Sequence, residues 1–233
     1  MYFSVITPEE SLLRQAAHEL AQSPYSEHQW LWNFFPSSEE QTRDFIYRRH
    51  ELEQMPRFYV VSKRAPTAFS EAWQVQSRSY DPQLQEGQRL SFQLCANPVV
   101  TKKSDNGKSQ RHDVVMEAKR QLLAERGLTA DAKWSKWSDK ESKPLLYEVA
   151  QKSSTDWLQT RASRHGFMVT EASVDAYQQF RAGKRDIRFS TVDFSGELLV
   201  TDPGVFRQAL FCGIGHAKAF GCGLLIVKRV ESE

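Results

Sequence analysis

One stretch near the middle of the chain constrains the fold most: Asp81-Pro82-Gln83-Leu84-Gln85-Glu86-Gly87. With a proline, a glycine and a single apolar side chain, it suits neither a helix interior nor a central strand, and reads as a linker between residues 1–80 and 88–233. Before it, residues 2–6 are strand formers, and Thr7-Pro8-Glu9-Glu10 reads as a helix start, with Thr7 capping and Glu10 closing a capping box. Leu13, Ala16, Ala17 and Leu20 then fall on one helical face, and Ser23-Pro24 stops the helix. The aromatic run Trp30-Leu31-Trp32-Asn33-Phe34-Phe35-Pro36 precedes strand candidates at 45–50 and 58–63. A second helix or irregular crossing over 65–72 and a strand at 75–80 complete the β-α-β-β-(α)-β order of a ferredoxin-like unit.

Beyond the linker, residues 90–94 alternate cleanly, and 102–111 are polar and basic around a hairpin-turn signal, Asn106-Gly107. Helices are expected over 114–126 and 155–165, a strand at 167–170, and a strand pair within 189–200 around Ser195-Gly196. A helix opened by Asp202-Pro203 and an apolar strand at 224–227 close the chain. The fold class expected is α+β, with two tandem ferredoxin-like (RRM-like) domains, 1–80 and 88–233.

Composition excludes several classes. At 40% hydrophobic and 26% charged, the chain is globular rather than disordered. No apolar run approaches the roughly 18 residues of a membrane span, and Met1-Tyr2-Phe3-Ser4-Val5-Ile6 lacks a signal peptide's basic lead. Cys95, Cys212 and Cys222 form no CxxC pair, so neither a disulfide framework nor a zinc ribbon is expected; they read as packing residues in a reducing cytoplasm. The net charge of +2 conceals an asymmetry: residues 1–60 hold five basic against nine acidic side chains, residues 101–188 eighteen against twelve. The second part suits either an anionic partner or a solvated surface.

The most specific local signal is Gly213-Ile214-Gly215-His216-Ala217-Lys218-Ala219-Phe220-Gly221-Cys222-Gly223. The dinucleotide fingerprint fails, because the segment precedes the last strand and opens no βαβ unit; a P-loop fails because no Gly-Lys-Ser/Thr follows. Two readings remain, a backbone cradle for phosphates with Lys218 adding positive potential, and a plain helix–strand turn.

These residues resemble the CasE family, the CRISPR precursor-RNA endoribonucleases of type I-E systems. The glycine-rich segment through Leu224-Leu225 is similar to that family's C-terminal loop. Tyr25-x-x-His28-Gln29-x-Leu31-Trp32-x-x-Phe35-Pro36, followed by Arg43-Asp44-Phe45, is similar to its catalytic segment, and Ala96-Asn97-Pro98-Val99-Val100-Thr101 to the strand entering its RNA-binding loop. The blocks stand in family order; residues 128–152 and 172–188 match weakly.

The resemblance implies tandem ferredoxin-like domains and cleavage of CRISPR precursor RNA at the base of each repeat hairpin. The RNA's own 2′-hydroxyl would be the nucleophile, leaving a 2′,3′-cyclic phosphate and a 5′-hydroxyl, with no metal or other cofactor. The partners implied are the repeat hairpin, the mature guide RNA and the other Cascade subunits, with no membrane. His28 and Tyr25 take the catalytic positions; an imidazole suits proton exchange at neutral pH, as base or as acid. Lys102, Lys103, Lys108 and Arg111 become RNA contacts on a basic hairpin, joined by Gly213, Gly215, Lys218, Gly221 and Gly223. Lys119, Arg120, Arg161 and Arg164 extend the basic surface. Asn33 stands where a cation would help stabilise the phosphorane, and Lys218 is a candidate for that task. The alternative is a non-catalytic cap that holds an RNA hairpin within a larger assembly.

Overall fold

The computed structural model describes residues 1–21, 27–36, 43–52, 55–103, 107–128, 133–182 and 187–230. Tyr25 and Asn106, both singled out above, lie outside them. Strands β1 (Tyr2–Pro8), β2 (Phe45–Leu52), β3 (Met55–Ser62) and β4 (Trp73–Ser79) form an antiparallel sheet in the order β2-β3-β1-β4. Strands β5 (Arg89–Ala96), β8 (Phe167–Ala182), β9 (Ile187–Val200) and β10 (Leu225–Arg229) form a second, in the order β10-β5-β9-β8. Numbered within each unit, both orders are the 4-1-3-2 of a ferredoxin-like sheet. Strands β6 (Val99–Lys103) and β7 (Ser109–Asp113) make a separate hairpin after β5.

Helices α1 (Leu13–Ala21) and α2 (Glu27–Trp32) follow β1. The helix start differs from expectation. β1 runs through Thr7 and Pro8, which pair with Gln74 and Trp73, and a 3-10 turn begins at Glu10. Proline suits a strand end as well as a first helical turn. The buried stripe is therefore Leu12, Ala16 and Leu20, spaced by four, while Leu13 is 40% exposed and Ala17 faces solvent. On the same side Glu19 accepts hydrogen bonds from Ser70 Oγ (2.8 Å) and Trp73 Nε1 (2.9 Å), tying α1 to the start of β4. Residues 65–72 hold no helix. Under the sheet, Trp30 meets Phe34 at 4.9 Å and Trp73 at 4.5 Å between centroids, contacts worth about 0.5–1.5 kcal/mol each beyond burial.

In the second unit, helices α3 (Val114–Glu125), α4 (Leu146–Ala162) and α5 (Pro203–Cys212) pack on the sheet through Val115, Leu158 and Phe206. α4 begins well before residue 155, with the Leu145 N–H bonded to the Glu148 carboxylate (3.0 Å). The short strand expected at 167–170 is the start of the long β8, and the expected strand pair is one strand, β9. Gly196 lies inside it because a Cβ there would collide with the Glu171 carbonyl on β8: the glycine permits close strand approach, not a turn. β5 covers β9 only up to Val192, so β8 and β9 run on as a two-stranded ribbon, with Phe180 stacked on Phe189 at 5.5 Å.

The linker is docked. Tyr80 packs on Phe3 and Phe211, and the Gly87 N–H donates to the Val200 carbonyl (2.8 Å). Ile46, Val61 and Leu224 form an apolar cluster joining the sheets, beside the Arg48–Asp193 ion pair (3.4 Å). Among the described residues no helix is long and apolar enough to cross a membrane.

Candidate active site

α2 is short, and it holds its place by burying Trp30 and Leu31 and by the ion pair of Glu27 with Arg49 on β2. His28 lies half-buried on its outer side, edge-on to Trp32 (6.1 Å) and tilted on Phe45 (5.7 Å). Its Nε2 is buried and has no hydrogen-bond partner among the described residues. Trp30 Nε1, Arg48 Nη1, Arg57 Nε and Ser154 Oγ share that state; of the five, His28 Nε2 alone belongs to a group that can exchange a proton near neutral pH. Burial lowers the His28 pKa, and the nearby Arg43 guanidinium lowers it further. At neutral pH the ring is therefore neutral and able to accept a proton.

Among the described residues, the nearby carboxylates Glu27 and Asp44 are committed elsewhere. Asp44 turns away from Arg43, as adjacent residues of extended chain do, and accepts two bonds from Arg64 (2.7 and 3.1 Å). Those bonds hold its carboxyl below the usual range. Arg43 thus keeps no carboxylate partner among the described residues.

The glycine-rich segment reaches this place from the second unit. α5 is capped by Asp202, which accepts the Val205 N–H (3.0 Å), and ends at Gly213. The segment closes on itself through the Ile214 N–H to Gly223 carbonyl bond (2.8 Å) and joins β5 through Gly223 N–H to the Cys95 carbonyl (2.7 Å). Its 3-10 turn, Lys218–Phe220, packs against α2 and β2, and the Tyr47 hydroxyl donates to the Ala219 carbonyl (3.1 Å). Gly221 must be glycine twice over: φ is +78°, and a Cβ would stand 3.3 Å from the Tyr47 ring. Gly213, Gly221 and Gly223 are buried, and Gly215 lies against Trp157, so what their missing side chains admit is protein. They shape the loop; the charge it presents is Lys218, whose pKa is lowered mainly by burial.

The basic hairpin forms as expected, but its charges divide. Register places Thr101, Lys103, Ser109 and Arg111 on one face, Lys102 and His112 on the other. Lys102 is paired with Glu117 on α3, whereas Lys103 and Arg111 have no carboxylate partner among the described residues. Lys108 starts the return into β7. Arg111 approaches His216 of the glycine segment: burial lowers the His216 pKa, and Arg111, Arg161 and Lys218 add to it. Arg161, on α4, lies over the Trp157 ring (5.5 Å). The hairpin base is held by Trp157 Nε1 donating to the Val99 carbonyl (3.2 Å) and by Asp113, which accepts from the Met116 N–H (2.7 Å) and Tyr177 Oη (3.2 Å).

Cations without a carboxylate partner among the described residues therefore follow one another from Lys103 and Arg111 through Arg161 and Lys218 to Arg43 near His28. Sequence reasoning assigned Arg43 no role, although Arg43-Asp44-Phe45 marked its segment. A groove of about 940 Å³ between α3 and α4 is lined by Glu117, Glu125, Glu148 and Asp156 as well as Lys152 and Arg161; it does not include His28. Among the described residues no group of three or more His, Cys, Asp or Glu side chains is arranged to hold a metal ion.

A family described as CRISPR associated protein matches residues 1–229. The CRISPR system Cascade subunit CasE of Escherichia coli (strain K12) is 26% identical over 205 residues, covering 86% of this chain and 89% of that protein. Among solved structures, Thermus thermophilus Cse3 bound to an RNA representing a pre-cleavage complex superposes with a TM-score of 0.67 at 23% identity, covering 97% of this chain and 98% of the other. Cas6e from Escherichia coli K-12 superposes with a TM-score of 0.62 at 21% identity, covering 99% and 100%.

Proposed function

The chain belongs to the CRISPR associated protein family, and on that premise we propose that it is an endoribonuclease that cuts CRISPR precursor RNA at the base of the repeat hairpin and retains the mature guide as a Cascade subunit. The observation that carries this reading is the half-buried imidazole of His28, its Nε2 without a hydrogen-bond partner and Arg43 near it without a carboxylate partner among the described residues. Cations without acids suit a polyanion, and an imidazole without a partner suits a proton transfer.

In this reading His28 is the general base. It takes the proton of the 2′-hydroxyl at the cut site, and the 2′-oxygen attacks the adjacent phosphorus. The P–O5′ bond breaks, the departing oxygen gains a solvent proton, and the products are a 2′,3′-cyclic phosphate and a 5′-hydroxyl. The lowered pKa favours the base over the acid role, because the neutral ring dominates at pH 7. In this reading the side chains perform the proton transfer and no metal takes part. Tyr25 is proposed to orient the 2′-hydroxyl. Lys103 and Arg111 face the RNA, with Lys102 and Lys108 at the hairpin's margin, while Gly213, Gly215, Gly221 and Gly223 hold the loop that delivers Lys218.

The test is single-turnover cleavage of the protein's own repeat RNA in excess chelator, beside the same RNA with one 2′-deoxyribose at the cut site. The expected result is cleavage of the first, and binding without cleavage of the second. Cutting of the deoxy substrate, or strict dependence on magnesium, overturns the mechanism; binding of both without cleavage establishes the non-catalytic cap instead.

A further inference from the structure

We propose that Arg43 and Lys218 together form a phosphate clamp over His28, gripping the two non-bridging oxygens of the scissile phosphate as negative charge builds on them. The inference rests on the endoribonuclease reading for its substrate and deepens it by assigning the transition-state stabiliser. In the reaction above, the phosphodiester enters with one negative charge. Once the 2′-oxygen has lost its proton to His28 and bonded to phosphorus, the pentacoordinate intermediate carries two. Groups that meet the second charge lower the barrier, because they bind the transition state better than the substrate.

Position comes first. Arg43 directly precedes Asp44 and Phe45, and the His28 ring lies on Phe45 at 5.7 Å. Lys218 opens the 3-10 turn that packs on α2 and β2, and the next residue, Ala219, is pinned to β2 by Tyr47 Oη (3.1 Å). Gly223 leaves room for the lysine stem: a Cβ there would stand 3.3 Å from Lys218 Cγ. One cation thus comes from each unit: Arg43 lies near the His28 imidazole, and the turn that carries Lys218 packs on the helix that carries His28.

Their charges are left open by the acids around them. Asp44 is taken by Arg64 and Glu27 by Arg49, and neither Arg43 nor Lys218 has an ion pair among the described residues. Arg43 is close enough to disfavour the charged forms of both His28 and Lys218. Two cations held near one another with no carboxylate partner among the described residues repel, and a bound phosphate removes that repulsion. Asn33, exposed in the turn after α2, carries no charge to do so.

The experiment compares the full-length protein with Arg43→Gln and Lys218→Gln. Single-turnover cleavage of the repeat is expected to fall about 10²–10³-fold in each, as for loss of one charge-stabilising donor. Affinity for the uncleavable 2′-deoxy repeat should drop only by one phosphate contact, about 0.7–0.9 in salt slope. Arg43→Lys and Lys218→Arg keep the charge and should regain part of the rate, and they replace any glutamine variant that does not fold. Without RNA, the His28 ring resonances are followed against inorganic phosphate. Phosphate should shift them in the wild type and much less in either glutamine variant. Wild-type cleavage rates in both glutamine variants overturn the clamp. A wild type that does not cut its repeat overturns the endoribonuclease reading instead. The phosphate titration then decides the clamp alone: a shift lost in both variants upholds it, and no shift in the wild type overturns it.

Discussion

Around the first sheet, the carboxylates near His28 among the described residues are paired within the unit, Glu27 to Arg49 and Asp44 to Arg64, and the histidine is held by rings. Around the second, Lys103, Arg111, Arg161 and Lys218 have no carboxylate partner among the described residues. The two units share one sheet topology and differ in what they offer: the first the His28 imidazole with Arg43 near it, the second most of the cations without a carboxylate partner among the described residues. The contrast teaches a division of labour. Proton transfer gains from a fixed, poorly solvated group of tuned pKa, whereas capture of a polyanion gains from cations that water can reach.

The most severe test of that division is His28→Ala. Cleavage should fall by about 10²–10⁴, the usual worth of general acid–base catalysis, while affinity for the uncleavable repeat stays near the wild-type value. Single-turnover rates beside a binding isotherm check it; equal losses in both would return His28 to the packing of Trp32 and Phe45. Next comes Gly221→Val, which forces a branched side chain into a +78° φ and onto Tyr47. The loop and Lys218 shift together, and cleavage should drop by about 10², the penalty of roughly 1 Å misplacement. Hairpin affinity should largely survive, with circular dichroism confirming the fold. Normal cleavage would reduce the loop to a simple connection.

A milder effect is expected from the hairpin. Lys103→Ala with Arg111→Ala should flatten the salt slope of log affinity by about 0.7–0.9 for each phosphate no longer neutralised, without moving the cut site. Lys102→Ala should change it less, because Glu117 already neutralises that charge. Equal slopes for Lys102→Ala and Lys103→Ala would break the assignment of faces. The smallest effect is in the pH profile. With the His28 pKa lowered, its base form persists below the ordinary imidazole midpoint of about 6.5. Single-turnover cleavage should therefore rise to its plateau by about pH 8 and fall to half of it only below about pH 6.5, as the ring takes a proton. A profile that halves at pH 6.5 or above would mean that RNA binding reverses the shift.

Much of the architecture was legible along the chain, because period-2 runs such as residues 90–94, which lie in β5, act locally. The errors share a cause. Pro8 is compatible with a strand end and a helix start, and contact with Trp73 decided between them. Gly196 read as a turn but serves a close approach of β9 to β8, a partner far away in sequence. At the site, motif spacing found His28 and the glycine segment, but the hairpin lysines looked equivalent until register put Lys102 opposite Lys103 and next to Glu117.

The sequence by itself determined which groups exist to do chemistry: one imidazole in an aromatic segment, a glycine-rich loop with one lysine, and a basic hairpin. Their types, and the local backbone that carries them, follow from side-chain chemistry and short-range periodicity. Only the tertiary structure decided which charges stay free and where they meet. Arg43 and Lys218 are far apart in the chain, and each has an acid or thiol closer in sequence than the other. They converge because Asp44 is drawn to Arg64 and because Tyr47 fastens the glycine loop of one unit to the second strand of the other. Pairing of charges depends on distance through space, which sequence spacing does not encode once two units dock.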